Sequence, residues 1–276
     1  MAWLNLTLCW YNYVQLATTT LTASTEDSNF PVGNIQYDQR QQIWKSTTVA
    51  GQWVQIDLGA GASAMATPRC ALVYDSNSNS DALPIKLEAG NVSPPVTVTW
   101  NLSTQYHLTP STATVHVPQR IAAFPDPITD SLTGSPAYRY WRITPQSLPV
   151  AFESTFRSMG KIFLGQAYTF SKNAVHPLTR GFIDQSPRVM TPNQAINVNR
   201  IPTRRTLLFT VPAADDTQIA NLQTIMDAVG THTPISIIAG SSDVRMMYYG
   251  YFTSLTPFVW RNKGIWDLAF EFEEAV

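Results

Sequence analysis

The sequence predicts a mostly β protein, a β-sandwich followed by a smaller α+β domain with one helix. Three observations predict it. Between about residues 17 and 167, short runs alternate apolar and polar positions and are separated by polar or proline-containing turns, the pattern of an antiparallel sandwich. No window in that half keeps a 3.6-residue period long enough for a substantial helix. From residue 206 onward the pattern instead reads strand, amphipathic helix, strand and hairpin.

The composition is compatible with that architecture and narrows the partners. At 276 residues the chain has room for two domains. Folding at that size hides roughly 75% of the unfolded surface, so neither disulfides nor metals are needed for stability. Charged residues make up 13% of the chain, against roughly 25% in an average soluble domain. The net charge of -1, from 18 basic and 19 acidic residues, creates no field that would draw nucleic acid or an anionic membrane. Hydrophobic and aromatic contents of 44% and 11% exclude a disordered chain. Surface polarity must then come from Ser, Thr, Asn and Gln, as is common in β-rich extracellular or virion proteins. Cys9 and Cys70 are too few for a disulfide framework or a four-cysteine zinc site and read as unpaired core thiols.

Residues 1–16 (MAWLNLTLCWYNYVQL) read as an aromatic arm. They lack a charged n-region and a small-residue cleavage site, and Asn5, Asn12 and Gln15 interrupt the apolar run, so neither a signal peptide nor a membrane span is expected. Residues 17–167 form the sandwich. Within 52–58, Val54, Ile56 and Leu58 share one face while Trp53, Gln55 and Asp57 share the other. The same alternation places Val96, Val98 and Trp100, then Ala113, Val115 and Val117, on strands. Residues 140–143 (YWRI) and 161–164 (KIFL) follow as further strands, and the polar stretches 75–81, 90–95 and 123–136 are loops.

Residues 168–205 carry Pro177, Pro187, Pro192 and Pro202 together with Arg180, Arg188, Arg200, Arg204 and Arg205. That proline density suits an extended, edge-like strap. The last domain, 206–276, opens with a strand at 206–211 that Pro212 stops. A helix over 213–229 has an acidic start at Asp215 or Asp216, an apolar stripe of Ile219, Leu222, Ile225, Met226 and Val229, and Gly230 as its C-cap. Strands at 235–239, 246–255 and 265–273 follow. In the last, Trp266, Leu268, Phe270 and Phe272 face inward and Asp267, Ala269, Glu271 and Glu273 outward.

Catalytic signatures are sparse. The string Gly61-Ala-Ser63-Ala-Met65 lacks the second glycine of a nucleophile elbow, and no phosphate-binding glycine motif occurs. His107, His116, His176 and His232 show no metal-ligand spacing, so neither a metal nor a cofactor is expected. The oxygen-rich 75–81 loop (DSNSNSD) departs from the calcium-loop pattern, with Ser80 where a glycine is required, and reads as a polar hairpin tip. Glu271 and Glu273, the most tempting carboxylate pair, sit on the outward face of a terminal strand, where a solvated edge or subunit contact explains them. The expectation is a protein that is not an enzyme.

Two resemblances bear on function. Residues 22–59 run through an extended Ser/Thr segment, Phe30-Pro31, Gly33-Asn34-Ile35, an aromatic-acidic turn, Trp44-Lys45-Ser46 and 53–59 (WVQIDLG). With Tyr140-Trp141-Arg142-Ile143 and 160–165 (GKIFLG), this resembles the discoidin, or galactose-binding-like, jelly roll over about 150 residues. The resemblance implies that Trp44 plugs the core and that loops at one end bind glycans or lipid headgroups. The loop 36–41 (QYDQRQ) then supplies Tyr37, Asp38 and Arg40 as glycan contacts, with Asn77 and Asn79 beside them. A spacer or docking role for the same loops stays open. The C-terminal half resembles the tail-tube-like β-barrel of phage tail and baseplate proteins, and the pair of domains is similar to distal tail or other minor tail proteins, although in those the ring domain usually comes first.

That resemblance implies a homo-oligomeric ring, a hexamer or trimer, at a phage tail tip. It would dock other tail proteins, sit in the virion after release by lysis, and possess a sandwich free to touch host glycans. Trp3, Trp10, Arg188, Arg200, Glu271 and Glu273 are the expected intersubunit contacts, since a ring pairs sheet edges that a monomer leaves bare. The alternative is a soluble carbohydrate-binding module protein.

Overall fold

The computed structural model describes residues 6–39, 42–48, 50–59, 68–74, 85–95, 98–101, 122–124, 138–145, 156–170, 175–184, 186–190, 196–198, 203–239, 247–254 and 258–275. The chain is mostly β and divides into two compact units, residues 1–169 with 236–247, and residues 170–235 with 248–276.

The first unit is a β-sandwich. Its strands in chain order are β1 (Thr7–Asn12), β2 (Thr20–Ala23), β3 (Trp44–Lys45), β4 (Val54–Asp57), β5 (Cys70–Val73), β6 (Ile85–Gly90), β7 (Val98–Asn101), β8 (Ala122–Phe124), β9 (Tyr140–Pro145), β10 (Ser158–Met159) and β11 (Ile162–Thr169). One layer has the order β2-β4-β9-β6-β7, antiparallel throughout. The facing layer runs β1-β11-β5-β8. The alternation read in the sequence decides which faces meet. Val54, Ile56, Leu87, Ala89, Trp141 and Ile143 from the first layer pack with Ala71, Val73, Ile162 and Leu164 from the second. Trp44 is fully buried in this core, and its indole N–H donates to the Thr25 carbonyl at 3.1 Å.

Within the expected aromatic arm, the described residues 6–16 belong to the sandwich. Thr7–Asn12 is a strand buried except at Trp10 and Tyr11, paired with β11 on one side and, through Thr7 to Cys9, with Ser236 to Ile238 on the other. Ser236–Met247 accordingly groups with the sandwich, although sequence order suggested the last domain. The run is apolar because it is an interior strand with a neighbour on each side. Trp10 is half-buried there, edge-on to Tyr11. Cys9 and Cys70 are buried and not joined to each other by a disulfide, and the Cys70 thiol faces the Gly165 carbonyl at 3.8 Å. Residues 113–117, the loop 75–81 and the 125–136 part of the expected 123–136 loop lie outside the described residues, as do His107 and His116, whereas Ala123 and Phe124 belong to strand β8 and not to a loop.

The second unit contains β12 (Val175–Ile183), β13 (Arg188–Met190), β14 (Ile196–Val198), β15 (Arg204–Ala214), α1 (Asp216–Val229), β17 (Met247–Ser254), β18 (Val259–Asn262) and β19 (Ile265–Glu274); β16 (Ile235–Ile238) is the strand that reaches β1. Strands β12, β15, β19 and β17 lie side by side, and β18 forms a hairpin with β19. Among the described residues no pairing closes this sheet into the expected barrel, and β12 pairs with β15 alone. The 168–205 strap is partly a strand of this sheet. It accommodates Pro177 by a register shift between Val175 and Thr179, because proline has no N–H to give the ladder. Pro212 likewise does not end its strand. β15 continues to Ala214 through a register shift between Val211 and Ala214.

Phe209 stacks on Phe270 at 5.0 Å, and Phe252 and Phe272 extend that aromatic core. The helix starts at Asp216, with Asp215 as N-cap. The Asp215 carboxylate accepts from the Gln218 amide at 2.8 Å while the Gln218 side chain accepts from the Asp215 N–H, a reciprocal capping box. Leu222, Ile225, Met226 and Val229 form the buried stripe, and Gly230 terminates the helix at φ +56°.

Two substitutions test this account. A Cβ on Gly165 would sit 1.7 Å from the Tyr11 carbonyl oxygen, where β1 and β11 shift register. Gly165→Ala should therefore destabilise by about 3 kcal/mol or more in urea unfolding. Asp215→Ala should cost only about 1 kcal/mol, the typical loss of an N-cap; equal effects would show that the close approach at Gly165 is relieved elsewhere.

Candidate functional site

Tyr37 and Asp38 follow a 3-10 turn, Val32–Gln36, that begins after Pro31. Local hydrogen bonds fix this turn. The Val32 N–H donates to the Glu26 carboxylate at 2.9 Å, the Asn34 amide to the Ile43 carbonyl at 3.0 Å, and the Tyr37 N–H to the Asn34 carbonyl at 3.2 Å. The Gln36 amide reaches across to the carbonyls of Val14 and Thr19 at 3.0 and 3.2 Å. A second 3-10 turn, Tyr13–Gln15, thus lies against the first. Asn12 caps that second turn, accepting from the Val14 N–H at 3.2 Å.

Lys161, just before β11, completes the arrangement. Its side chain has no exposed surface. The ammonium donates to the Tyr37 carbonyl at 2.7 Å and the Gln36 carbonyl at 3.3 Å, and stands 3.7 Å from Asp38 Oδ1. The Gln15 amide also donates to Asp38 Oδ1. Backbone and carboxylate are both held from beneath, while the Tyr37 residue is 59% exposed and the Asp38 side chain 45% exposed. Burial pushes the Lys161 ammonium down from 10.5 to about 8, against the pull of the Asp38 charge and hydrogen bond.

An exposed aromatic ring on a fixed backbone can stack on the apolar face of a ligand, while a neighbouring carboxylate accepts hydrogen bonds from hydroxyls. Of the sequence-predicted glycan contacts, Tyr37 and Asp38 are adjacent here; Arg40, Asn77 and Asn79 lie outside the described residues. Of the predicted oligomer contacts, Trp3 and Arg200 also lie outside them, and Arg188 is in β13. Glu271 is exposed, and Glu273 pairs with Arg204 at 2.8 Å within the same chain.

Sequence reasoning placed Lys161 on a strand and missed it as a clamp, because alternation marks a face and says nothing of what a long side chain reaches. It also missed a polar ladder on the outer face of the five-stranded sheet. There Arg142 donates to Gln55 at 2.9 Å, lies 4.4 Å from the Trp53 ring centroid, and has its guanidinium lowered by burial. Gln55 donates to Ser93 at 3.1 Å, and Arg139 holds Asp57 with two bonds of 2.7 and 2.8 Å. The cross-strand register places Gln55, Arg142 and Glu88 side by side, and the buried Arg142 Nε there has no hydrogen-bond partner. Among the described residues no group of three or more His, Cys, Asp or Glu side chains is arranged to hold a metal, and no helix is long and apolar enough to cross a membrane.

No family model matches the chain, and no curated protein matches it. Solved structures do resemble it. The family 32 carbohydrate-binding module of AlyQ in complex with 4,5-unsaturated mannuronic acid is 19% identical, covering 52% of this chain and 92% of its own at a TM-score of 0.35. Chitosan-binding module 1 of a Paenibacillus sp. IK-5 chitosanase/glucanase is 14% identical, covering 56% and 99% at 0.38. The family 32 module of Clostridium perfringens NanJ in complex with galactose is 13% identical, covering 59% and 99% at 0.35. Likeness at this level carries no binding residue across to this chain, so what the loop can bind rests on its own geometry. Nothing in these comparisons supports the expected phage tail or baseplate protein.

The Lys161 environment makes a testable demand on stability. Between about pH 8 and 10.5 the unfolded chain holds a proton on this amine that the folded chain does not. Stability from this group is therefore lowest below that window and rises with pH through it. The rise should be on the order of 3 kcal/mol in the wild type relative to Lys161→Met, measured by urea unfolding across the window. Parallel pH profiles would show that the ammonium is not buried at the cost described.

Proposed function

We propose that this chain is a carbohydrate-binding protein without catalytic activity, and that the sandwich contacts sugar through Tyr37 and Asp38. One observation carries the reading. Tyr37 presents an aromatic ring to solvent from a backbone that is fastened beneath by the buried Lys161 ammonium. Large exposed aromatics are ordinarily mobile, and fixing one in advance reduces the entropy lost when a ligand stacks on it. Asp38 supplies an acceptor for ring hydroxyls, and its charge is balanced locally by Lys161. The low charge of the chain fits an uncharged polyhydroxyl ligand better than a polyanion.

A glycan array probed with the full chain, followed by calorimetry on the best ligand, tests the proposal. Tyr37→Ala should weaken binding by about tenfold or more and Tyr37→Phe should retain most of it, since stacking needs the ring and not the hydroxyl. Both variants should unfold like the wild type, because the side chain is at the surface. An array without a binder, or undiminished binding by Tyr37→Ala, would rule the proposal out.

A further inference from the structure

A lysine with no exposed side-chain surface is an expensive way to fill space in a sandwich, and the position of its ammonium shows what it does there. It lies against the backbone of the segment that carries Tyr37, bonded to two consecutive carbonyls, those of Gln36 and Tyr37, and facing the Asp38 carboxylate. The other side-chain bonds that fasten this segment come from neutral amides, Gln36 to Val14 and Thr19, Asn34 to Ile43, and Gln15 to Asp38, and from the Glu26 carboxylate, which accepts from the Val32 N–H at the start of the turn. We infer that Lys161 is the positioning residue of the sugar-contacting segment, and that loss of its proton loosens Tyr37 and Asp38 and weakens ligand binding on the alkaline side of neutrality. The part that concerns the ligand rests on the carbohydrate-binding reading; the part that concerns the segment does not.

The groups around the ammonium bear this out. Asp38 is the charged side chain that faces it from the 36–38 segment. Among the described residues, the other titratable side chains on the surrounding elements include the Glu26 carboxylate at the start of the turn and the phenols of Tyr13 on the neighbouring turn, Tyr37 on the segment itself, and Tyr74, whose N–H bonds the Lys161 carbonyl at 2.8 Å. The Cys70 thiol lies further along, where β5 pairs Gly165. Burial has already moved the amine to about 8, so its charge is lost in an accessible range of pH. A neutral amine keeps two N–H donors but loses the charge that strengthens those bonds and attracts Asp38, so loosening of the segment over a still-buried amine is favoured by proton loss, whereas global unfolding, which returns the amine to water, is opposed by it.

The experiment uses the full chain and two readouts. The first needs no ligand: amide hydrogen exchange at residues 37–39, corrected for the intrinsic pH dependence of exchange, followed from about pH 6.5 to 9.5. Protection there should fall about tenfold with a midpoint near the amine's own, the loss expected for a charge-assisted hydrogen bond, while amides of β4 hold steady. Asp38→Asn should move that midpoint to lower pH, because Asp38 favours the charged amine. Lys161→Met should show weak protection that does not change with pH. Flat wild-type protection, or wild-type protection in Lys161→Met, overturns the inference, and should that variant fail to fold, the wild-type and Asp38→Asn titrations decide it. The second readout is affinity for the best array glycan over the same range, which should fall in parallel. A glycan that binds equally well throughout overturns the affinity part; absence of any glycan ligand removes that part together with the proposed function, and leaves exchange to judge the clamp.

Discussion

Strand β11 is the element through which the sandwich's second layer holds together, and its tightest constraint is the close approach of two backbones at Gly165. There the β1 ladder shifts register between Cys9 and Tyr11, and the Tyr11 carbonyl occupies the space a side chain would need. The shift brings Asn12 over β11, where its amide donates to the Ile162 carbonyl at 3.1 Å and its oxygen accepts from the Leu164 and Val14 N–H groups. One buried asparagine therefore couples the β1–β11 pairing to the turn that places Gln15. Lys161, immediately before β11, couples the same strand to the Tyr37 segment. The fold and the candidate site are not separate features attached to one another; the strand that closes the layer also anchors the loop.

What the sequence revealed and what it hid follow from the range of each signal. The runs 52–58 and 140–143 were legible as strands because the period is local, and the face shared by Val54, Ile56 and Leu58 is a buried one. The helix was legible for the same reason, its apolar stripe and the Asp215 cap all falling within a few turns. The partner of residues 7–12 was not legible. Its two neighbours lie more than 150 residues away in sequence, and a buried strand with neighbours on both sides reads only as an apolar run. The prolines misled in a specific way. Pro177 and Pro212 remove one donor each, which a strand absorbs by shifting register, so a breaker by composition became a bulge in the fold.

Within the candidate site, Tyr37 and Asp38 were reached through the resemblance to the galactose-binding-like jelly roll, which implies contacts on loops at one end of the sandwich. Lys161 was hidden, since a lysine at a strand start ordinarily extends to solvent. Its burial reverses the usual relation between a charge and stability. Desolvation disfavours the ammonium, one carboxylate at 3.7 Å recovers only part of that loss, and the folded protein carries the remainder at neutral pH. Packing alone does not retain such a group. The two carbonyls it holds give it a positional role that an apolar residue of equal volume lacks.

The scarcity of charge elsewhere sharpens that contrast. Among the described residues the ion pairs are short-range: Arg139 with Asp57, Arg204 with Glu273, Arg205 with Glu274 and Arg261 with Asp267 join neighbouring segments, and Lys86 with Glu88 lies within β6. In the Arg205–Glu274 pair the carboxylate is buried, and the partly covered guanidinium lies 4.6 Å from the Tyr248 ring centroid. Partners that already lie within hydrogen-bond distance leave little field to steer a charged ligand. Recognition by such a surface must therefore rely on shape, aromatic faces and neutral hydrogen-bonding groups, whose strength depends on being held in place before the ligand arrives. A buried cation spent on holding a loop, in a chain that uses so few, is consistent with that requirement: rigidity of the aromatic, more than attraction by charge, is what this sandwich has to offer a partner.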